Sequence, residues 1–152
     1  MKITLHEEIE KVLVTLEPAV RKKKIQVTLN LDKKLPEIEA DRDRLKQVLV
    51  NLLDNAIKFN KDAGKITIKT ARLSDGIEIR IEDTGIGIPP NDLPRIFERF
   101  YRVDKARAKE SGGTGLGLSI VKHIVEAHKG SMTCTSVLGQ GSSFQIKLPL
   151  PL

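Results

Sequence analysis

The chain has 152 residues, 39% of them hydrophobic and 30% charged, interleaved throughout; this is the size of one domain with its own core, and it excludes a disordered tail. No apolar run approaches the roughly 20 residues of a membrane span, Glu7, Glu8 and Glu10 make the start too acidic for a signal-peptide core, and lone Cys134 excludes a disulfide framework and fits a reducing cytosol. The net charge of +6 raises nucleic acid as a partner, but aromatics at 3% offer no stacking platform, so basic runs such as Arg21 to Lys24 read as solvated faces.

Thr4-Leu5-His6-Glu7 has the spacing of a capping box, and Leu5, Ile9, Val12, Leu13, Leu16 and Val20 recur at helical intervals, predicting a first helix bent or ended near Pro18. Ile25, Val27, Leu29 and Leu31 alternate as one face of a strand, with Pro36 in the loop beyond. Asp41 is a candidate N-cap for a second helix, in which Leu45, Val48, Leu49, Leu52, Leu53, Ala56 and Ile57 follow a 3.6 period. Turn chemistry at Asn60 to Gly64 leads into a hairpin, with Ile66/Ile68 and Ile77/Ile79/Ile81 on either side of Ser74-Asp75-Gly76. From Thr84 to Thr114 only Leu93 to Tyr101 shows periodicity, and a connection that long inside a domain suggests a functional lid. Leu116, Ile120, Val121, Ile124, Val125 and Ala127 mark a third helix stopped by Gly130, and Met132/Cys134 with Phe144/Ile146/Leu148 close the chain as a hairpin around Gly139-Gln140-Gly141. This order predicts an α+β fold, a two-layer sandwich with helices on one face of a mixed, mainly antiparallel sheet.

Three clusters in this frame can carry chemistry. Asn51, Asn55 and Lys58 are spaced by four and three, within about 60° of arc on one helix face. Two amide oxygens and an ammonium there suit a magnesium ion with its polyphosphate, although a solvated face explains them as well. Asp83-Thr84-Gly85-Ile86-Gly87 comes straight off a strand, where the glycines allow close backbone approach and Asp83 can accept from an exocyclic amine; a simple turn explains it equally. Gly112-Gly113-Thr114-Gly115-Leu116-Gly117 opens the third helix, where free N–H groups favour an anion, and so many glycines are costly for a mere cap. Neither glycine cluster has the spacing of a P-loop or of a dinucleotide fold.

Taken together the clusters resemble the boxes of sensor histidine kinases. Asn51-Leu-Leu-Asp-Asn55-Ala-Ile-Lys58-Phe resembles the N box, Asp83-Thr-Gly-Ile-Gly the G1 box, Phe97-Glu-Arg-Phe-Tyr-Arg102 the F box and Gly113-Thr-Gly-Leu-Gly-Leu the G2 box, in the same order and over nearly the whole chain. The resemblance implies one catalytic and ATP-binding domain over residues 1–152, of the Bergerat-type fold shared with gyrase, the heat-shock chaperone and mismatch-repair ATPases, with a nucleotide lid at about 84–114. By that resemblance Asn51 and Asn55 would hold Mg²⁺, and Lys58 would reach the phosphates. Asp83 would bind the adenine amine, with Gly85 and Gly87 shaping the pocket around the base. Gly113, Thr114, Gly115, Leu116 and Gly117 would wrap the triphosphate, Arg102 would meet the γ-phosphate, and Ser142 would help fix the adenine through water.

Hydrolysing members of that superfamily carry a glutamate where this chain has Asn51, and an amide is no general base, so ATP should be bound and its γ-phosphate kept for another acceptor. His6, His123 and His128 lack the context of the family's acceptor histidine. The expected partners are therefore a dimerisation and phosphoacceptor helical hairpin, lying before residue 1 in a parent sensor kinase, and a response regulator downstream. The expected location is cytoplasmic, as part of a membrane-bound sensor, with no nucleic-acid partner and no direct membrane insertion. The rival readings are an anti-sigma-type serine kinase on the same fold and an interaction module that has kept the fold without ATP.

Overall fold

The structure, a computed structural model, describes residues 1–99, 101 and 117–150. In chain order the elements are β1 (Lys2–Ile3), α1 (Leu5–Lys23), β2 (Gln26–Asn30), β3 (Ile38–Glu39), α2 (Arg42–Lys58), β4 (Lys65–Arg72), β5 (Gly76–Asp83), a 3-10 turn (Leu93–Arg95), α3 (Gly117–Ala127), β6 (Ser131–Val137) and β7 (Gly141–Pro149). The large sheet has the order β2-β4-β5-β7-β6, with β2 parallel to β4 and the other pairs antiparallel. The helices cover one face of it, as the two-layer α+β reading expected.

Alternation along the central strands makes that face. Ile66 and Ile68 of β4, Ile77, Ile79 and Ile81 of β5 and Phe144, Ile146 and Leu148 of β7 are buried. The register sets Ile68 beside Ile81, Ile79 beside Ile146 and Ile81 beside Phe144. Leu45, Val48, Leu49, Leu52, Leu53, Ala56 and Ile57 of α2 pack onto these rows, each large side chain contributing about 1.5–3 kcal/mol. Asp83 and Ser142 have the same parity as the isoleucine rows and are paired in register, so the inner face ends on a carboxylate and a hydroxyl. That parity, rather than any local signal, draws Asp83 into a half-buried setting.

Asp41 caps α2 as expected, its Oδ1 accepting from the backbone N–H groups of Asp43 (3.1 Å) and Arg44 (3.2 Å). Three expectations are corrected. Of the two alternatives at Pro18, α1 does not end there but runs on to Lys23; the carbonyl of Val14, which loses its i+4 donor, belongs to a residue 71% exposed, where water can serve it. Thr4 stands at the N-cap of α1 but makes no side-chain capping bond. The left-handed residue after α3 is Lys129 (φ 62°), not Gly130, which is needed because a Cβ there would lie 2.3 Å from the carbonyl oxygen of Lys147. No expectation covered the two-residue ladder of β1 with β3, since Ile3 and Ile38 show no alternation, yet both are buried.

Candidate functional site

The end of α2 and the end of β5 meet at one short turn. Phe59, the C-cap of α2, offers its carbonyl to the N–H of Ile86 at 3.0 Å. Asn60, 2% exposed, accepts from the Thr84 hydroxyl at 3.2 Å and donates to the Lys65 carbonyl at 3.1 Å. The residues after β5 are thus laid on the turn that follows α2. Gly85 is required by this contact, since a Cβ there would come within 2.4 Å of the Phe59 carbonyl oxygen. Gly87 adopts φ 72° under the β6–β7 hairpin, where a Cβ would meet the Val137 carbonyl at 2.2 Å.

Asp83 is anchored by one oxygen. Oδ1 accepts from the N–H of Gly85 (2.8 Å) and of Ser142 (3.3 Å), while no hydrogen bond among the described residues engages Oδ2. Burial raises the carboxyl above its ordinary range, and donation from Gly85 and then Ser142 opposes that rise. Ser136, which the sequence did not single out, locks this corner. Its Oγ accepts from the Ile88 N–H (2.8 Å) and donates to the Gly141 carbonyl (2.9 Å), so the Ser142 hydroxyl is the donor in the 2.9 Å contact between the two serines.

On α2, Asn51, Asn55 and Lys58 share a half-buried face, and among the described residues neither amide side chain has a hydrogen-bond partner. Lys58 Nζ is held 2.9 Å from Asp54 Oδ2, a pair about one-third exposed on both sides, which an arriving phosphate can displace at little cost. Just before the F box Ile96 is buried, and the first F-box residue, Phe97, packs edge-on against Phe144 at 6.5 Å, with Lys122 Nζ 5.3 Å from its ring. The Tyr101 hydroxyl donates to Asp92, and Arg95 lies 4.5 Å over the Tyr101 ring. Gly117 opens α3, and among the described residues no atom beyond its chain neighbours and its own helix backbone lies within 4 Å of a Cβ built on it. Arg102, Gly113, Thr114, Gly115 and Leu116 lie outside the described residues, as does much of the 84–114 segment.

The histidines differ in their commitments. His128 Nε2 accepts from the Asp41 N–H at 3.1 Å, which places the ring proton on Nδ1, where it is donated to the Ile124 carbonyl at 2.8 Å. Both nitrogens are therefore engaged, Nδ1 to the last turn of α3 and Nε2 in joining that helix to the start of α2. His6 is half-buried on α1 and His123 exposed on α3.

This donor set fits a divalent cation that arrives with a polyphosphate better than a free one. Among the described residues no three His, Cys, Asp or Glu side chains cluster as metal ligands. The half-buried, unengaged amides of Asn51 and Asn55 supply hard neutral oxygens, which leaves charge neutralisation to the anion. The glycine-backed corner fits a flat group that needs close backbone approach, and the free oxygen of Asp83 fits an amine on its edge.

Comparison with known proteins gives the family of the chain. The family described as histidine kinase-, DNA gyrase B- and HSP90-like ATPase matches residues 40–152. Sensor protein kinase WalK of Staphylococcus haemolyticus is 50% identical over 113 residues, 73% of this chain and 19% of WalK, so the chain spans about a fifth of that relative. The nucleotide-free catalytic domain of histidine kinase ThkA superposes with a TM-score of 0.86 at 32% identity, covering 99% of this chain and 97% of that one. ThkA has also been solved with its response regulator TrrA (TM-score 0.82, 30% identity, 99% of this chain and 42% of that one). Full-length ShkA in complex with AMPPNP matches at a TM-score of 0.85 and 31% identity, over 99% of this chain and 31% of that one. With the inner-face carboxylate, the amide pair on α2 and the glycine-backed turn in the same frame, the chain belongs to the histidine kinase-, DNA gyrase B- and HSP90-like ATPase family, on its sensor histidine kinase branch.

Proposed function

We propose that this domain binds Mg-ATP and donates the γ-phosphate to a histidine on a separate dimerisation and phosphoacceptor hairpin of its parent sensor kinase. The observation that carries the reading is Asp83, half-buried with one oxygen tied to backbone and the other open, on a strand end joined directly to the helix that bears Asn51 and Asn55. The AMPPNP complex of ShkA supports a nucleotide on this fold.

In this mechanism Asp83 Oδ2 accepts from the adenine N6 amine, and the Ser142 corner holds that carboxylate in place. Gly85 and Gly87 let backbone approach the base. Asn51 and Asn55 hold Mg²⁺ by their amide oxygens, and the bound ion supplies neutralisation of the phosphate charge. Lys58 leaves Asp54 for the phosphates; Arg102 and the run Gly113, Thr114, Gly115, Leu116 and Gly117 contribute the remaining contacts, the last of them at the start of α3, where a helix N-terminus favours an anion. Positioning and electrostatics supply the rate, as in phosphoryl transfer generally. Asn51, standing where a hydrolase would need a base, keeps water from competing. The nucleophile comes from the partner, and a response regulator then takes the phosphoryl group, a sequence supported by the ThkA–TrrA complex. The domain works in the cytoplasm, where ATP is supplied.

Calorimetric titration of wild type and Asn55→Ala with ATP, with and without EDTA, tests the reading. Wild type with Mg²⁺ should bind at least about tenfold tighter than the other three samples, a difference of about 1.4 kcal/mol. Equal affinity in all four refutes it.

A further inference from the structure

The turn under the base corner is itself held from behind by one side chain. Lys23, the last residue of α1, places its Nζ 2.8 Å from the carbonyl oxygen of Ile57, 2.7 Å from that of Lys58 and 2.9 Å from that of Asn60. Ile57 and Lys58 lie in the last turn of α2, where its dipole is negative, and Asn60 in the turn beyond; of the three carbonyls, that of Ile57 also accepts from the Asn60 N–H at 3.2 Å. The backbone closes the same knot, since the Lys23 carbonyl accepts from the Ala63 N–H at 2.8 Å. An ammonium has three N–H donors, and three converging carbonyls match it in number and shape; a planar guanidinium would not.

We propose that Lys23 is a positioning residue for nucleotide recognition, acting through the turn at 57–60 on the base-reading carboxylate; this rests on the assignment of Asp83 as reader of the adenine amine. The path is short and continuous. Lys23 fixes the Ile57, Lys58 and Asn60 carbonyls, and between them the Phe59 carbonyl carries the Ile86 N–H and abuts Gly85. Asn60 in the same turn holds the Thr84 hydroxyl. Gly85 in turn donates to Asp83 Oδ1, which sets the direction of the free oxygen. Without the ammonium, the Lys58 and Asn60 carbonyls turn apart to reach water, the Gly85–Ile86 peptide loses its seat, and Asp83 is no longer aimed. The same ammonium sits behind the Lys58 backbone, so the phosphate end shares the support.

The test separates aim from stability. A variant that is only less folded binds every nucleotide more weakly by the same factor, because apparent affinity scales with the competent fraction, and the ratio of ATP to GTP affinity does not move. Misdirecting Asp83 removes an advantage that only ATP has, so the ratio falls. Wild type, Lys23→Met and Lys23→Gln are titrated with both nucleotides in the presence of Mg²⁺. Lys23→Cys is made in a Cys134→Ser background and alkylated with bromoethylamine, which rebuilds an ammonium on a chain of the same length. The expected result is a ratio reduced by about tenfold in Lys23→Met, the lower end of the loss seen when a partner one step behind a ligand is removed. Lys23→Gln should shift in the same direction, and aminoethylated Lys23→Cys should regain the wild-type ratio. An unchanged ratio in Lys23→Met or Lys23→Gln, or aminoethylation that restores stability without restoring the ratio, overturns the role of Lys23 alone. A wild type that does not distinguish ATP from GTP overturns it together with the reading of Asp83.

Discussion

Replacing Asp83 by Asn changes one atom, and the structure dictates which way the amide turns. Two backbone donors, the N–H groups of Gly85 and Ser142, converge on Oδ1. The Asn oxygen must take that place, because an NH₂ group there would face two donors, and the NH₂ is thereby sent to the position of Oδ2. Against adenine it opposes an amine with an amine, so ATP loses a charge-assisted bond worth about 1.5–3 kcal/mol. Against guanine it offers a donor to O6, worth about 0.5–1.5 kcal/mol. The preference for ATP over GTP should therefore fall by about 2–4.5 kcal/mol, or about 30- to 2000-fold, most of it through weaker ATP binding. Both backbone bonds to Oδ1 survive and a buried charge is removed, so the variant should melt no lower than wild type. Competition calorimetry with both nucleotides, beside a thermal melt, makes the measurement. A folded variant with an unchanged ATP/GTP ratio would falsify the reading, as would a wild type that binds GTP as tightly as ATP.

The raised Asp83 carboxyl also predicts opposite pH trends for stability and for binding. A folded-state value above the unfolded one means that the folded chain binds the proton more tightly. The charged group thus subtracts stability at neutral pH, and the deficit is relieved as pH falls through the raised value towards the unfolded value of about 3.9. ATP affinity needs the ionised form and should decline over the same interval; titrations that show wild type and Asp83→Asn with identical pH profiles would count against the assignment. Lys24, exposed at the C-cap of α1, holds a left-handed conformation (φ 56°, ψ 36°) that costs a residue with a Cβ more than glycine. Lys24→Gly should raise stability by about 0.5–1 kcal/mol after allowing for the greater freedom of glycine when unfolded, and Tm by about 1–4 °C; a lower Tm contradicts the strain argument.

Much of the fold was written in periodicity. The 3.6 repeat from Leu45 to Ile57 and the alternation of the isoleucines in β4 and β5 are consequences of which face must be buried, and that requirement is local enough to read from order alone. The N-box and G1 residues were legible for the same reason: Asn51, Asn55 and Lys58 share a face by helical spacing, and Asp83 follows the last isoleucine of a strand by two. Where local signals were allowed to overrule the whole, they misled. Pro18 does not end α1, because the carbonyl it orphans is exposed to water, and Gly130 is a glycine for the sake of a neighbouring strand rather than a helix cap.

What spacing could not convey is which atoms are already engaged. Ser136 and Ser142 are six apart on a hairpin; only the family resemblance points to Ser142, and nothing points to Ser136 until antiparallel register sets the two together beside Asp83. Lys23 belongs to a basic run that reads as solvated, yet its ammonium closes a helix end 34 to 37 residues away. His128 looks like any polar residue at a helix end until its two nitrogens are found between α3 and the start of α2. The sequence by itself determined the elements, their buried faces and the residue types available for chemistry, since those follow from short-range spacing and the need to bury apolar surface. Only the tertiary structure decided which oxygen of Asp83 is free, which lysine supports the turn and which histidine is spent, because hydrogen-bond partnership depends on angstrom-scale approach between segments that chain order leaves far apart.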